Sequence, residues 1–213
     1  MDIRLDRCKR SSIEYQQIRD RHYIPNNGAV GQQLHYIVKI FSGGGYKTVG
    51  IISAGSAAYA VGSRDLFFGI NKDNRQIALN SIVDNTVFRL EERIPNLGTQ
   101  VLAMWRKRVQ KDWFETYGVK VAGFETFIIE NEQRKGAMYK ADNWTFVGET
   151  NGSTKFHQHG VTKQFERVST CKKLVFCKWV KGGELATEYF ATWNNPGVIR
   201  GQITIDELLS GGD

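Results

Sequence analysis

No stretch of about 18 apolar residues occurs anywhere in the 213-residue chain, and its opening, MDIRLDRCKRSSIEYQQIRDRHY, is charged throughout. A membrane-spanning helix requires the first and a cleavable signal peptide is incompatible with the second, so the sequence predicts a soluble, intracellular protein. Cysteine is scarce as well: Cys8, Cys171 and Cys177 are an odd number, at spacings that suit neither a disulfide framework nor a zinc site. Reduced thiols are expected. Internal repeats and low-complexity tracts are also lacking.

What is present is a hydrophobic content of 41%, enough in a chain of this length to bury a full core. Lys and Arg total 29 against 22 Asp and Glu, a net charge of +7 that fits a protein meeting a polyanion.

Along the chain, residues 1 to 20 predict a short helix, and IPNNGAVG a loop. QLHYIVKIF and TVGIISAGS flank SGGGYK as the strands of an antiparallel hairpin. A short helix is expected around KDNRQIAL. NSIVDNTVFRL then reads as a buried strand whose apolar centre is interrupted by Asp84 and Asn85. PNLGTQVLAMWRKRVQKDWFETYG is the strongest helix: Pro95 suits its start, Gly118 its end, and Leu97, Val101, Trp105, Val109 and Trp113 recur every four residues. VKVAGFETFIIE reads as a core strand carrying Glu125, and KKLVFCKWVK as a further strand. This order predicts an α/β fold with a mixed, largely antiparallel central sheet flanked by helices. Residues 1–152 form the expected core domain. Residues 153–213 form a basic C-terminal extension, with a strand and a tail packed on the core.

Candidate functional residues follow from polar groups in apolar patterns. Asp84 and Glu125 should lie on neighbouring strands, where burial would raise their pKa values toward acid–base use, or where they would neutralise Arg89 or Arg93. The helix start in RIPNLGTQ offers unpaired N–H groups to an oxyanion, assisted by Arg93, Asn96 and Gly98. His22, beside Tyr23 and a Gly-containing loop, suits a base or a metal ligand. In KGAMYKADNWTFVGETNG, Tyr139 and Asn143 would share a helical face toward a pocket while Trp144 anchors the segment in the core. Arg64 and Asp65 are expected to form an internal ion pair, and His157 and His159 to lie in a basic surface loop. Arg106, Lys107 and Lys111 on the long helix, with Lys155, Lys163, Lys172 and Lys173, would track phosphates.

RIPNLGTQ and GAMYKADNWTFVG together resemble the GNAT acyltransferases, in which splayed strands admit an acyl donor and a tyrosine stands near the leaving thiol. Gly136, Tyr139, Ala141 and Trp144 occupy the places of that second motif, with Asn143 where a glycine is usual. The glycine-poor loop speaks against a coenzyme A thioester and leaves an acyl or related group donor. HYIPNNGAVGQQLHYIV, SAGSAAYAVGSRDLFFGI, IVDNTVFRL, IPNLGTQVLA, DWFETYG, FETF and YKADNWTFVGET, in this order over residues 20–152, resemble the DruA family of the Druantia anti-phage system. That family's pattern has asparagine more often at position 84, which favours Asn85 and Glu125 over Asp84. The His22–Tyr23 pair and Tyr139 through Trp144 are also similar to the Mom DNA-modification proteins of phage.

These resemblances imply a protein of phages and mobile elements in the cytoplasm of a bacterial host. Its partner would be nucleic acid, and DNA in particular. The reaction implied is group transfer to a DNA base by His22, Asn85, Glu125 and Tyr139, with Tyr23, Asp84, Arg89, Arg93, Asn96, Gly98 and Asn143 binding substrate or donor. A non-catalytic protein of a defence or counter-defence system, binding nucleic acid or a partner, is the alternative. A metal-dependent nuclease using Asp65, Asp84 and Glu125 is a third, although no carboxylate spacing requires a metal.

Overall fold

The structure is a computed structural model, and it describes residues 1–24, 31–132, 134–150, 153–157, 165–169 and 171–183. In chain order these form β1 (Ile3–Cys8), α1 (Ile13–Arg19), β2 (Gln33–Ser42), β3 (Gly45–Ser56), α2 (Gly62–Phe67), α3 (Arg75–Asn80) and β4 (Ile82–Leu90). They continue as α4 (Leu97–Tyr117), β5 (Gly123–Ile128), α5 (Ala137–Ala141), β6 (Thr145–Glu149), β7 (Ser153–His157), β8 (Phe165–Ser169) and β9 (Leu174–Trp179). Seven strands build one sheet in the order β1-β2-β3-β4-β5-β9-β6, and β7 pairs with β8 apart from it. The expected mixed, largely antiparallel sheet flanked by helices is the one observed, with β4 and β5 its parallel pair.

The first correction concerns the start of the chain. Residues 3–8 are an edge strand paired with β2, and the helix begins only at Ile13. Ile3 and Leu5 are buried two residues apart while Arg4 and Asp6 pair with one another outside, which is the period of a strand.

Each face of the sheet has its own cover. α4 lies on one face through Leu97, Val101, Leu102, Trp105, Val109 and Trp113, all buried, against Tyr36, Val38 and Phe124. Gly118 ends this helix in the left-handed conformation, as its place in the sequence predicts. α1 covers the other face over β2 to β4 through Tyr15 and Ile18. The short helices α2 and α3 and their connecting loop cover β5 and β9 through Phe68, Ile70 and Ala78. β9 comes from beyond residue 152, yet it sits between β5 and β6 with Val175, Phe176 and Cys177 buried on its two faces.

Two local features shape the centre. Between Ser53↔Val87 and Gly55↔Asp84, two steps along β3 match three along β4, so β4 carries an extra residue at Asn85–Thr86. Such a bulge turns the strand, and Val83 and Val87 accordingly face opposite sides of the sheet. β4 and β5 then pair over only Ile82↔Gly123, Val83↔Phe124 and Asp84↔Glu125 before separating. The splay that this leaves is where the polar residues collect.

Gly136 precedes α5 with φ of +73°, and a Cβ there would stand 2.3 Å from Phe176 Cζ. Gly136→Ala should therefore lose about 1–3 kcal/mol of stability from overpacking and backbone strain combined. Urea unfolding is the check: a lower midpoint at unchanged slope is expected.

Candidate functional site

Where β4 leaves β5, its polar groups lose the ladder and side chains take over. The Tyr139 hydroxyl donates to Asn85 Oδ1 at 2.7 Å, and the Thr126 hydroxyl donates to the Asn85 carbonyl at 3.1 Å. Asn85 Nδ2 donates in turn to the carbonyls of Ser53 at 3.0 Å and Val87 at 3.3 Å. The Ser53 hydroxyl bonds the Tyr15 hydroxyl at 2.7 Å and His35 Nδ1 at 3.0 Å. α5 delivers Tyr139, whose ring lies between Trp144 and Phe176. Burial pushes the Tyr139 hydroxyl well above the ordinary phenol range, with nearby Tyr23 and Asp84 adding to the rise. It is a neutral donor at every physiological pH.

Tyr23 lies near Tyr139, and His22 stands beside Tyr23. Arg134 stacks on the Tyr23 ring at 4.1 Å from its centroid, and the two rings of His22 and Tyr23 are 4.5 Å apart. Burial lowers the His22 pKa to about 4, with the charges of Arg19, Arg89 and Arg134 lowering it further, so the ring is neutral near pH 7. His22 Nδ1 faces the Ile24 backbone, 3.2 Å from its N and 3.4 Å from its carbonyl oxygen, so either tautomer finds a partner there. A ring that is neutral near pH 7 is compatible with the base role expected from its sequence context.

The opposite face of the strand pair carries charge. Asp84 and Glu125 are neighbours, as their strands predict, but the cation that meets Glu125 is Arg64 and not Arg89 or Arg93. Arg64 and Glu125 are both fully buried, and the Ala58 N–H occupies the second Glu125 oxygen at 2.7 Å. Arg64 also holds Asp65 at 2.7 Å, the expected ion pair, and Arg75 reaches Asp65 at 2.8 Å. Arg89 instead bonds Glu91 and the Arg21 carbonyl, and Arg93 is exposed.

Each Glu125 oxygen thus has one partner within the fold. Asp84 Oδ1 has none: although the residue is partly exposed, that atom is sealed from solvent and lacks any partner. Burial raises the Asp84 pKa well above the usual carboxylate range, with the Glu125 charge beside it raising it further.

The remaining candidates are dispersed. Asn143 does not share the Tyr139 face: α5 ends at Ala141, and Asn143 turns outward in the left-handed region at φ 57°. Helical spacing fails there because the chain has left the helix. Trp144 is buried as expected, with Nε1 donating to Asp142 at 2.8 Å. Arg106 binds both Asp142 oxygens at 2.6 Å, so it clamps this turn. Lys107 and Lys111 are exposed on α4, as is Lys172, while Lys173 is half-buried. The side chain of Lys155 and the whole of Lys163 and His159 lie outside the described residues, as does the His157 side chain. Among the described residues, no cluster of three or more His, Cys, Asp or Glu is placed to hold a metal ion. Sequence reasoning missed Thr126 and Ser53, whose only signal was a hydroxyl residue inside an apolar strand.

The strand order, the bulge and the splay define the fold of the GNAT acetyltransferases. The chain is similar to Arabidopsis thaliana NAA60 in complex with acetyl-CoA at 17% identity and a TM-score of 0.53, covering 85% of this chain and 100% of that one. It is also similar to a Bacillus subtilis acetyltransferase in complex with CoA at 7% identity and a TM-score of 0.50, covering 84% and 99%. At such identities the likeness shows the fold alone. The family is shown by a model that matches residues 3–184: the chain belongs to the family of Druantia protein DruA. No curated protein matches it.

The fold implies coenzyme A, but the residues here do not fit it. Gly98 is the sole glycine at the start of α4, and Met138 Sδ lies 2.6 Å from where its Cβ would stand, so the space beside it is filled. The Asn85 carbonyl at the floor of the splay is already bonded by Thr126.

The orphaned Asp84 gives a pH-dependent prediction. Its folded pKa is raised, so the folded state holds the proton more tightly; the group costs stability above the unfolded pKa of about 3.9 and costs nothing below it. Asp84→Asn should raise the melting temperature at pH 7, and the gain should vanish as pH falls below about 4. Melting curves of both proteins across pH check this.

Proposed function

We propose that this protein is a group-transfer enzyme acting on DNA, with an exocyclic base amine as acceptor. The observation that carries the reading is the Tyr139 hydroxyl, held on Asn85 at the point where two parallel strands separate. At that point a neutral hydroxyl donor stands on one face of the strand pair, and a carboxyl oxygen without a hydrogen-bond partner stands on the other.

An exocyclic amine is a weak nucleophile and must lose a proton as it attacks. Asp84 is the group proposed to take it, because burial and the neighbouring Glu125 charge raise its pKa and Oδ1 is uncommitted. Tyr139 is suited to donate a hydrogen bond to the charge that develops on the leaving side. His22, neutral near pH 7, would contact the acceptor through its ring nitrogen Nε2. A base within a duplex is stacked and out of reach, so it must be turned out of the helix to meet these groups. The donor would be an activated acyl or related group other than a coenzyme A thioester.

A second reading, a non-catalytic nucleic-acid-binding protein of a defence system, is favoured by one observation. The Thr126 and Tyr139 bonds to Asn85 already span the floor of the splay.

Mass analysis of nucleosides from DNA of cells expressing the protein separates the two. A new nucleoside mass supports transfer, whereas DNA that is bound but unmodified supports the second reading. Tyr139→Phe should abolish the new mass while costing about 1–3 kcal/mol, since it leaves buried Asn85 Oδ1 without its donor. A folded Tyr139→Phe protein with full activity would overturn the role given to the hydroxyl.

A further inference from the structure

The cations that the sequence assigns to nucleic acid are partly committed elsewhere: Arg106 clamps Asp142, and its neighbour Arg108 binds Asp112 at 2.8 Å. A separate basic surface lies at the other end of the sheet, where β4 and β5 are still paired. There the end of β1, the start of β2 and the end of α4 enclose a cleft of about 370 Å³. Arg7, Lys9, Arg10, Gln33, His35 and Tyr117 contribute to its lining, and no carboxylate does. Arg7 and Lys9 are exposed, and among the described residues neither has an acidic partner.

Hydrogen bonds tie the walls together. Tyr117 accepts the Gln33 N–H at 3.0 Å and donates to the Gln33 carbonyl at 2.8 Å, which ties the end of α4 to the start of β2. His35 is fixed by Ser53 at 3.0 Å and packs on Tyr15 at a centroid distance of 4.8 Å. Three cationic side chains within four residues thus project around a floor whose polar groups are held in place.

We propose that this cleft holds a phosphate group of a nucleic-acid backbone. The proposal rests on the reading of DNA as partner, and it adds a contact surface separate from the splay. Exposed Arg7 and Lys9, on a cleft whose lining holds no carboxylate, recognise an anion of any kind. Exposure of Arg7 and Lys9 along the rim suits a phosphate that is one of a continuous chain, since such a chain must enter and leave.

A signal at the floor reports occupancy. Burial, reinforced by the charges of Arg10 and Arg19, lowers the His35 pKa to about 4. A phosphate beside Arg10 offsets that charge and moves the His35 pKa upward.

The test is binding of a fluorescent DNA duplex by the full chain across a salt titration. It compares the protein with the double variant Arg7→Gln, Lys9→Gln and with Lys72→Glu, which removes as much charge on the exposed loop before α3. Melting curves confirm that the variants fold. The expected result is affinity reduced about tenfold or more in the double variant for all sequences, with the salt slope reduced by about one per cation lost. Lys72→Glu should change it far less, and the His35 ring signals in NMR should show an upward pKa shift when DNA is added. Binding by the double variant equal to that of the unaltered protein overturns the cleft while leaving DNA as partner. No binding by the unaltered protein overturns both.

Discussion

The separation of β4 from β5 after Asp84 and Glu125 is the constraint on which the rest of the structure depends. A parallel pair that parts inside a sheet exposes backbone donors and acceptors in a buried place, and each must find another partner. The extra residue at Asn85–Thr86 turns β4, and the Asn85 side chain answers the carbonyls of Ser53 and Val87. Thr126 answers Asn85 from β5, and Tyr139 reaches in from α5. α5 in turn is held by the Asp142 turn, which Arg106, Trp144 and Lys178 grip from three elements. The position of a single hydroxyl therefore depends on α4, β6 and β9 as well as on its own short helix.

The two faces of this strand pair have different electrostatics. On the α4 and α5 side, neutral amide and hydroxyl groups satisfy one another in a setting of aromatic rings. On the α2 side, Arg64 joins Asp65 and Glu125 in a buried ionic group, while Asp84 is left beside it without a partner of its own. Breaking such a buried pair by removing one partner is costly because the remaining charge is stranded. The network holds the loop between β3 and α2 against β5, and it does so with the same carboxylate that sequence pattern alone assigns to catalysis. Within the GNAT fold and the DruA family, this chain thus keeps the sheet geometry of that fold, with Met138 packed beside Gly98 at the start of α4.

Much of the framework was legible because it follows from periodicity. The four-residue recurrence from Leu97 to Trp113, closed by Gly118, is α4 nearly to the residue, and the polar interruptions in two apolar strands placed Asp84 beside Glu125. The strand at Ile3–Cys8 was not legible, since an edge strand that buries two apolar side chains among charges leaves little pattern. Nor was the partner of Glu125, because Arg64 lies 61 residues away and only the fold brings it close. Asn143 misled for a local reason: helical spacing was extended past the point where the helix ends. The family match reaches from residue 3 to 184, beyond the motifs over 20–152, and takes in β1 and β9, which belong to the same sheet as the motifs.

Whether the Asn85–Tyr139 bond is a reaction site or only a structural tie is decided most directly by watching the amide itself. In protein labelled with nitrogen-15 asparagine, the Asn85 side-chain amide signals, assigned by substitution, can be followed as a short DNA duplex is added. If a base enters the splay, the Asn85 signals shift and saturate with the DNA, while those of exposed Asn143 move far less. Saturating DNA binding that leaves the Asn85 amide unmoved would contradict the account and make the bond a tie that closes the gap between two strands.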